Sequence, residues 1–186
     1  MSLTAFLETL QHQVINAVCL TNHGNLKDYE DLVAMAPHGI AIIPGVELSS
    51  TSGDFLVFSV DLDFLRSLNA VQLLPKRGDR PSGTAVVWAH PFAGNRGGRG
   101  VDQGYISSIV AEVDGIEVYN GNWPDEEASG HAFRIAEENG LAQLGGSDAH
   151  RVKDLMRCWT EADEKICTGA DFVAAIIGRK TTAKRK

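Results

Sequence analysis

Five stretches of this chain place metal-binding or proton-moving side chains directly after short apolar runs. They are Thr21-Asn22-His23, Gly45-Val46-Glu47, His90-Pro91, Asn120-Gly121 and Gly145-Gly146-Ser147-Asp148-Ala149-His150. Neutral histidine nitrogen and charged carboxylate oxygen are the ligands that hard and borderline divalent metals take. The spacing Asp148-x-His150 turns both side chains to one side of an extended segment. Glu47 has two oxygens and can bridge two cations, and paired cations can clamp both the attacking and the leaving oxygen of a phosphoryl transfer. Glu47 also follows an apolar run, where an unpaired carboxylate is costly and a cation is the economical partner.

The runs that deliver these residues have strand length and β-branched composition: 15–20, 40–46, 55–60, 85–89, 115–119 and 141–144. Helical character lies between them, at 4–13, 26–35, 105–113, 125–139 and 171–177. Thr168 reads as an N-cap for the last of these, and Asn139-Gly140 as the stop of the fourth. Alternating strands and helices predict an α/β fold with a largely parallel sheet. One pair departs from this, because residues 51–54 leave no room for a helix and predict a hairpin. Segments 75–84 and 93–104 are rich in Gly, Pro and charge and read as loops. In α/β barrels the C-terminal strand ends surround the active site, so residues far apart in sequence are expected to meet there.

With 186 residues, 44% hydrophobic and 22% charged, the chain has the composition of one globular domain. No apolar run approaches the roughly 18 residues that span a bilayer, and no signal-peptide pattern opens the chain; membrane partners are not expected, and a cytoplasmic setting is. Cys19, Cys158 and Cys167 form no CxxC pair and no disulfide framework. The formal charge is -7 although Arg179, Lys180, Lys184, Arg185 and Lys186 crowd the end. So acidic a body argues against broad nucleic-acid binding, which rests on phosphate neutralisation by Lys and Arg. A nucleotide or a strand end remains open as substrate. Residues 1–178 are expected to form one domain and 179–186 a basic disordered tail.

In order, Thr21-Asn22-His23, Gly45-Val46-Glu47, Ala89-His90-Pro91-Phe92, Asp114-Gly115-Ile116-Glu117-Val118-Tyr119-Asn120 and the block 145–150 resemble the motifs of PHP (polymerase and histidinol phosphatase) phosphoesterases. The histidinol-phosphatase-like branch, with its TDH, GxE, AHP, EVYN and GGSDAH-like blocks, is the one resembled. The resemblance implies a distorted seven-stranded β/α barrel with one to three divalent ions (zinc, manganese or iron). It implies metal ligation by His23, Glu47, His90, Asp148 and His150, with Glu117 as a further ligand and Asn120 lining the pocket. Two departures accompany it. The family opens with an HxH motif on a first strand, and here Met1 begins what reads as the following helix, so that strand and its ligands are expected to be missing. Asn22 stands where the family has Asp, which removes a carboxylate that would orient His23.

The chemistry implied is hydrolysis of a phosphate ester by metal-activated water, with His23, His90, Asp148 and His150 as the catalytic set. The substrate would be a small phosphomonoester or a nucleotide, bound with help from Asn120. Arg96 and Arg99 have the guanidinium chemistry of a phosphate clamp, set against the plainer reading of a solvated loop. Two other readings stand beside this: a degenerate module that binds metal without catalysis, and C–N bond hydrolysis as in amidohydrolase-like barrels. His12, His38 and His131 are expected at the surface, and Trp88 in the core. A sheet lacking one strand exposes an edge, which makes a homodimer conceivable.

Overall fold

The computed structural model describes residues 3–92 and 103–186. Its elements follow in the order α1 (Leu3–Gln11), β1 (Ala17–His23), α2 (Tyr29–Met35), β2 (Ala41–Ser50), β3 (Gly53–Ser59), α3 (Leu62–Ser67) and β4 (Thr84–Ala89). After these come α4 (Gln103–Val110), β5 (Gly115–Asn120), α5 (Glu126–Asn139), β6 (Ala142–Gly146), β7 (Cys158–Ala162), α6 (Gly169–Ile177) and β8 (Thr181–Arg185). The fold is α/β, with a curled half-barrel sheet of six strands ordered β1 to β6 and a two-stranded sheet of β7 and β8. None of the described helices is long and apolar enough to cross a membrane.

Local chemistry sets the helix ends. The Asp125 carboxylate accepts the Ala128 N–H at the start of α5, and Gly140 ends it at φ 59°. Thr168 and Asp171 form a reciprocal capping box on α6. The sheet carries apolar side chains on both faces. Val46, Phe55, Val57, Val86, Trp88 and Ile116 pack towards α4 and α5. Ile43, Phe58, Val87 and Leu144 pack against Phe172 and Ile176 of α6, and Phe58 meets Phe172 edge-on at 5.1 Å. This explains why β4 is buried along its whole length.

The expected hairpin exists: β2 and β3 are antiparallel and joined at residues 51–52. Because β3 runs backwards, its other neighbour β4 is antiparallel too. The sheet is therefore mixed, with β1–β2, β4–β5 and β5–β6 parallel. The reversal matters, because it brings the first residues of β3 to the edge where β2 and β4 end.

One expectation is corrected, and one is sharpened. The basic tail is not disordered: Thr181–Arg185 is strand β8, antiparallel to β7. Ala183 is buried, and the Arg185 guanidinium lies 4.6 Å from the Tyr119 ring centre while pairing with Glu126. Composition concealed this strand, because its lysines and arginines snorkel around a small apolar contact. β7 and β8 dock on β6 through Thr160, whose hydroxyl accepts from Gly145 N at 3.0 Å and donates to Gly145 O at 2.9 Å. The segment 75–84, in turn, is a loop anchored by ion pairs. Arg77 and Arg80 both reach Asp114, and Arg80 also donates to the Glu112 carbonyl. Asp114 further accepts the Val86 N–H at 2.9 Å, tying β4 to the start of β5.

The side chains of Asp114 and Arg80 are 6% and 4% exposed. Removing one partner of a buried pair strands the other charge. Asp114→Ala is therefore expected to lower the unfolding free energy by about 3 kcal/mol in urea titration, with an unchanged m-value.

Candidate metal centre and its rim

The strand registers place the candidate ligands at one end of the sheet. His23 and Glu47 are register partners at the end of β1 and along β2. Ser49 of β2 faces Asp54 of β3, and Asp54 faces Ala89 of β4, the residue before His90. One ligand atom from each of Glu47, Asp54 and His90 lies within 4.8 Å of the others, and all three residues are buried. His90 Nε2 is 3.3 Å from Glu47 Oε1 and 3.9 Å from Asp54 Oδ2. The more exposed His23 stands beside them, its Nε2 3.7 Å from Glu47 Oε2.

Asp54 was missed by the sequence reading, which took it as a turn residue after Gly53. The signal was available in the hairpin. A two-residue turn fixes the pairing, so the first polar residue of β3 must return to the level of Ser49, just beyond Glu47.

A second carboxylate group adjoins the first. Glu117 Oε2 accepts the His90 backbone N–H at 2.9 Å and the Asn120 side-chain amide at 3.0 Å. The same Asn120 nitrogen reaches Asp148 Oδ2 at 3.4 Å. Asn120 Oδ1 accepts from the N–H groups of Asn122 and Trp123. Asn120, expected to bind substrate, is buried and spends both ends of its amide on the protein. Its work here is to hold Glu117 and Asp148 together. A methyl group on Gly146 would overlap Glu117 Oε1, so the glycine makes room for that carboxyl group.

Two site residues have left-handed backbone, His90 at φ 27° and Asp148 at φ 47°. This is uncommon outside glycine and marks places where the surroundings hold the chain. For His90 it directs the N–H to Glu117. For Asp148 it overturns the extended geometry expected of Asp148-x-His150. His150 instead folds back, its Nδ1 3.0 Å from the Asp148 carbonyl oxygen, with a side chain 64% exposed. Among the described residues, the cluster with metal-ligand geometry thus holds Glu47 and His90 of the expected set, adds Asp54, and leaves His150 at the rim. Asn22 turns away, its amide donating to the Lys27 carbonyl. Arg96 and Arg99 lie outside the described residues. His131, expected at the surface, is half-buried and stacks flat on Phe92 at 4.3 Å.

The electrostatics follow from burial. Desolvation pushes the Glu117 carboxyl group up to about 7, against the opposing pull of His90 and the Asn120 hydrogen bond. Burial alone would lower the His90 pKa. The Glu47 hydrogen bond and the charges of Glu117, Glu47 and Asp54 outweigh it and hold His90 above its ordinary value.

The donor set fits a divalent cation: two carboxylates and an imidazole, all buried, with further carboxylates alongside. Such a cation would relieve carboxylate crowding that, among the described residues, is met by the imidazoles of His90 and His23 and the Asn120 amide.

Comparison with known proteins bears on the fold and on the C-terminal part of the chain. Residues 126–181 match a family model described as PHP-associated (PHP_C). No curated protein gives a significant match. Among solved structures, PsfC from Pseudomonas syringae PB-5123 is similar with a TM-score of 0.76 and 21% identity, over 98% of this chain and 82% of that one. A "putative metal-dependent phosphoesterase" from Bifidobacterium adolescentis ATCC 15703 is similar with a TM-score of 0.63 and 14% identity, over 94% of this chain and 89% of that one. At these identities the likeness is one of fold. The PHP resemblance read from the motifs is met by the PHP-associated match over residues 126–181.

A carboxyl group with a folded pKa above its unfolded value favours the folded state below the unfolded value, about 4.5, and loses that advantage as pH rises through about 7. Glu117→Gln removes the charge and keeps an oxygen for the His90 and Asn120 donors. In chelator-treated protein the variant is expected to be more stable than wild type at pH 8.5, by about 1–3 kcal/mol. The difference should vanish below pH 5, as read from urea unfolding at both pH values.

Proposed function

We propose that this chain is a metal-dependent phosphoesterase that hydrolyses a phosphomonoester, and the observation that carries the reading is the convergence of Glu47, Asp54 and His90 at the strand ends of a PHP-like fold. Glu47, Asp54 and His90 would hold a zinc, manganese or iron ion, with His23 at hand beside Glu47. Glu117 and Asp148, joined through Asn120, are the donors for a further ion. A cation there supplies charge neutralisation at a phosphoryl oxygen and lowers the pKa of water.

The remaining work falls to the chain. Asn120 and Gly146 keep the Glu117 carboxyl group in place, and the His90 backbone N–H fixes its Oε2. His150 stands at the mouth with Nδ1 against the Asp148 carbonyl oxygen, which leaves Nε2 to give a proton to the leaving oxygen when the ring is charged. Burial of Glu47, Asp54 and His90 excludes water from the reacting centre and strengthens each charge interaction there. A small phosphomonoester fits an acidic body better than a polynucleotide does. The second reading, a metal-binding module without turnover, is favoured by Asn22, whose amide serves its own loop and gives His23 no carboxylate partner.

Stoichiometric metal measured by mass spectrometry, together with metal-stimulated release of phosphate from a panel of small phosphomonoesters, tests the proposal. Glu47→Gln and Asp54→Asn are each expected to lower kcat by about 100-fold or more and to reduce bound metal. Bound metal without turnover on the panel would favour the module, and no metal after reconstitution would remove the site.

A further inference from the structure

The turn after His150 holds an arrangement that the ion cluster does not explain. Asp154 lies in the short 3-10 turn Val152–Asp154, and its side chain is 1% exposed. Two guanidinium groups close on this one carboxylate. Arg151 places Nε 3.0 Å from Oδ2, and Arg157 places Nη2 2.9 Å from Oδ1. Two cations thus share a single carboxylate as counter-charge. Both remain open to solvent, Arg151 at 63% and Arg157 at 41% side-chain exposure. The exposed Lys153 adds to the positive character of the turn. In a chain of formal charge -7, next to a centre built from carboxylates, such a cluster is out of keeping.

Its position is fixed from both sides. Arg151 directly follows His150. Arg157 Nη1 donates to the Gly121 carbonyl at 3.2 Å, and Gly121 follows Asn120, the residue that bridges Glu117 and Asp148. Gly121 also packs so closely that an added Cβ would meet Arg157 Cβ at 2.8 Å and Ser147 O at 2.9 Å. The guanidinium pair thus borders the candidate centre at the Asn120–Asp148 side, held there by a buried acid.

We infer that Arg151 and Arg157, clamped by Asp154, form an oxyanion subsite that takes a second anionic group of the substrate, a phosphate or carboxylate distal to the ester that is cleaved. The inference rests on the proposed hydrolytic reading for its substrate, while the subsite itself is a binding claim. The reacting phosphoryl group must lie among the buried donors Glu47, Asp54 and His90, so the solvent-facing guanidiniums are left for the remote end of the molecule. Guanidinium forks suit oxyanions, and a pre-oriented pair loses little freedom on binding. The preferred substrates are then phosphoesters that carry two anionic groups.

Two measurements on the full chain test this. The first is calorimetric titration of inorganic phosphate into chelator-treated protein, where no cation competes. Wild type should bind. Arg157→Gln and Arg151→Gln should each weaken binding about tenfold, Arg157→Lys should recover part of the loss, and Lys153→Gln should stay within about twofold of wild type. No binding up to about 10 mM phosphate, or equal binding by the arginine variants at unchanged melting temperature, overturns the subsite. The second is kinetics with Mn2+ on a matched pair, 3-phosphoglycerate and glycerol 3-phosphate. Arg157→Gln should raise KM about tenfold for the first, leave its kcat unchanged, and leave the second within about twofold. An equal effect on both substrates overturns the inference. If neither ester is turned over by wild type, the hydrolytic reading fails while the phosphate titration still decides the subsite.

Discussion

Carboxylates removed from water at one end of the sheet are the constraint that organises this molecule. Glu47, Asp54 and Glu117 are buried, and Asp148 borders them. Like charges at this density repel, and each pays a desolvation cost that hydrogen bonds must offset. The chain meets the demand in specific ways. His90 stands between Glu47 and Asp54 and gives its backbone N–H to Glu117. Asn120 gives its amide to Glu117 and Asp148. Glycine at 146 leaves space where any side chain would strike Glu117. Left-handed backbone at His90 and Asp148 is the strain that this arrangement sustains.

The two shifted groups at the centre share this origin. Burial raises Glu117 because the anion lacks water, and carboxylate charge raises His90 because a proton there answers the surplus. In the metal-free chain, protons therefore do part of what a divalent cation would do. Metal binding and proton release are coupled wherever ligands must lose protons to coordinate. The same residues read as a stability problem without a cation and as a ligand set with one.

Much of this was legible in the sequence, and the failures have physical causes. The six strands of the main sheet and the hairpin followed from apolar run length and turn chemistry, which act locally. Glu47 and His90 were legible because each follows a buried run directly. Asp54 was hidden because its place depends on pairing with β2 and not on its own neighbours. The reversal of His150 was hidden because period-two spacing predicts direction only for extended backbone, and Asp148 is left-handed. Strand β8 was hidden because basic composition was read as solvation, whereas its alternate residues Thr181 and Ala183 are buried.

Glu47, Asp54 and His90 precede the stretch that carries the PHP-associated match, while Asp148, His150, Asp154 and Arg157 lie within residues 126–181. The two stretches share the β5–β6 pairing and the packing of α6 on the sheet. At the centre itself, Glu117, Asn120 and Gly121 link His90 to Asp148 and Arg157 through side-chain and backbone hydrogen bonds. The last part is in turn braced by β7 and β8, which dock on β6 at Gly145 through Thr160. A cation site and an oxyanion subsite supplied by different parts of one chain can vary separately. The buried carboxylates are constrained by one another, so a change at one disturbs all. The rim arginines pair with Asp154 and the Gly121 carbonyl and not with the buried carboxylates of the centre, which makes that rim the place where substrate preference can change without dismantling the centre.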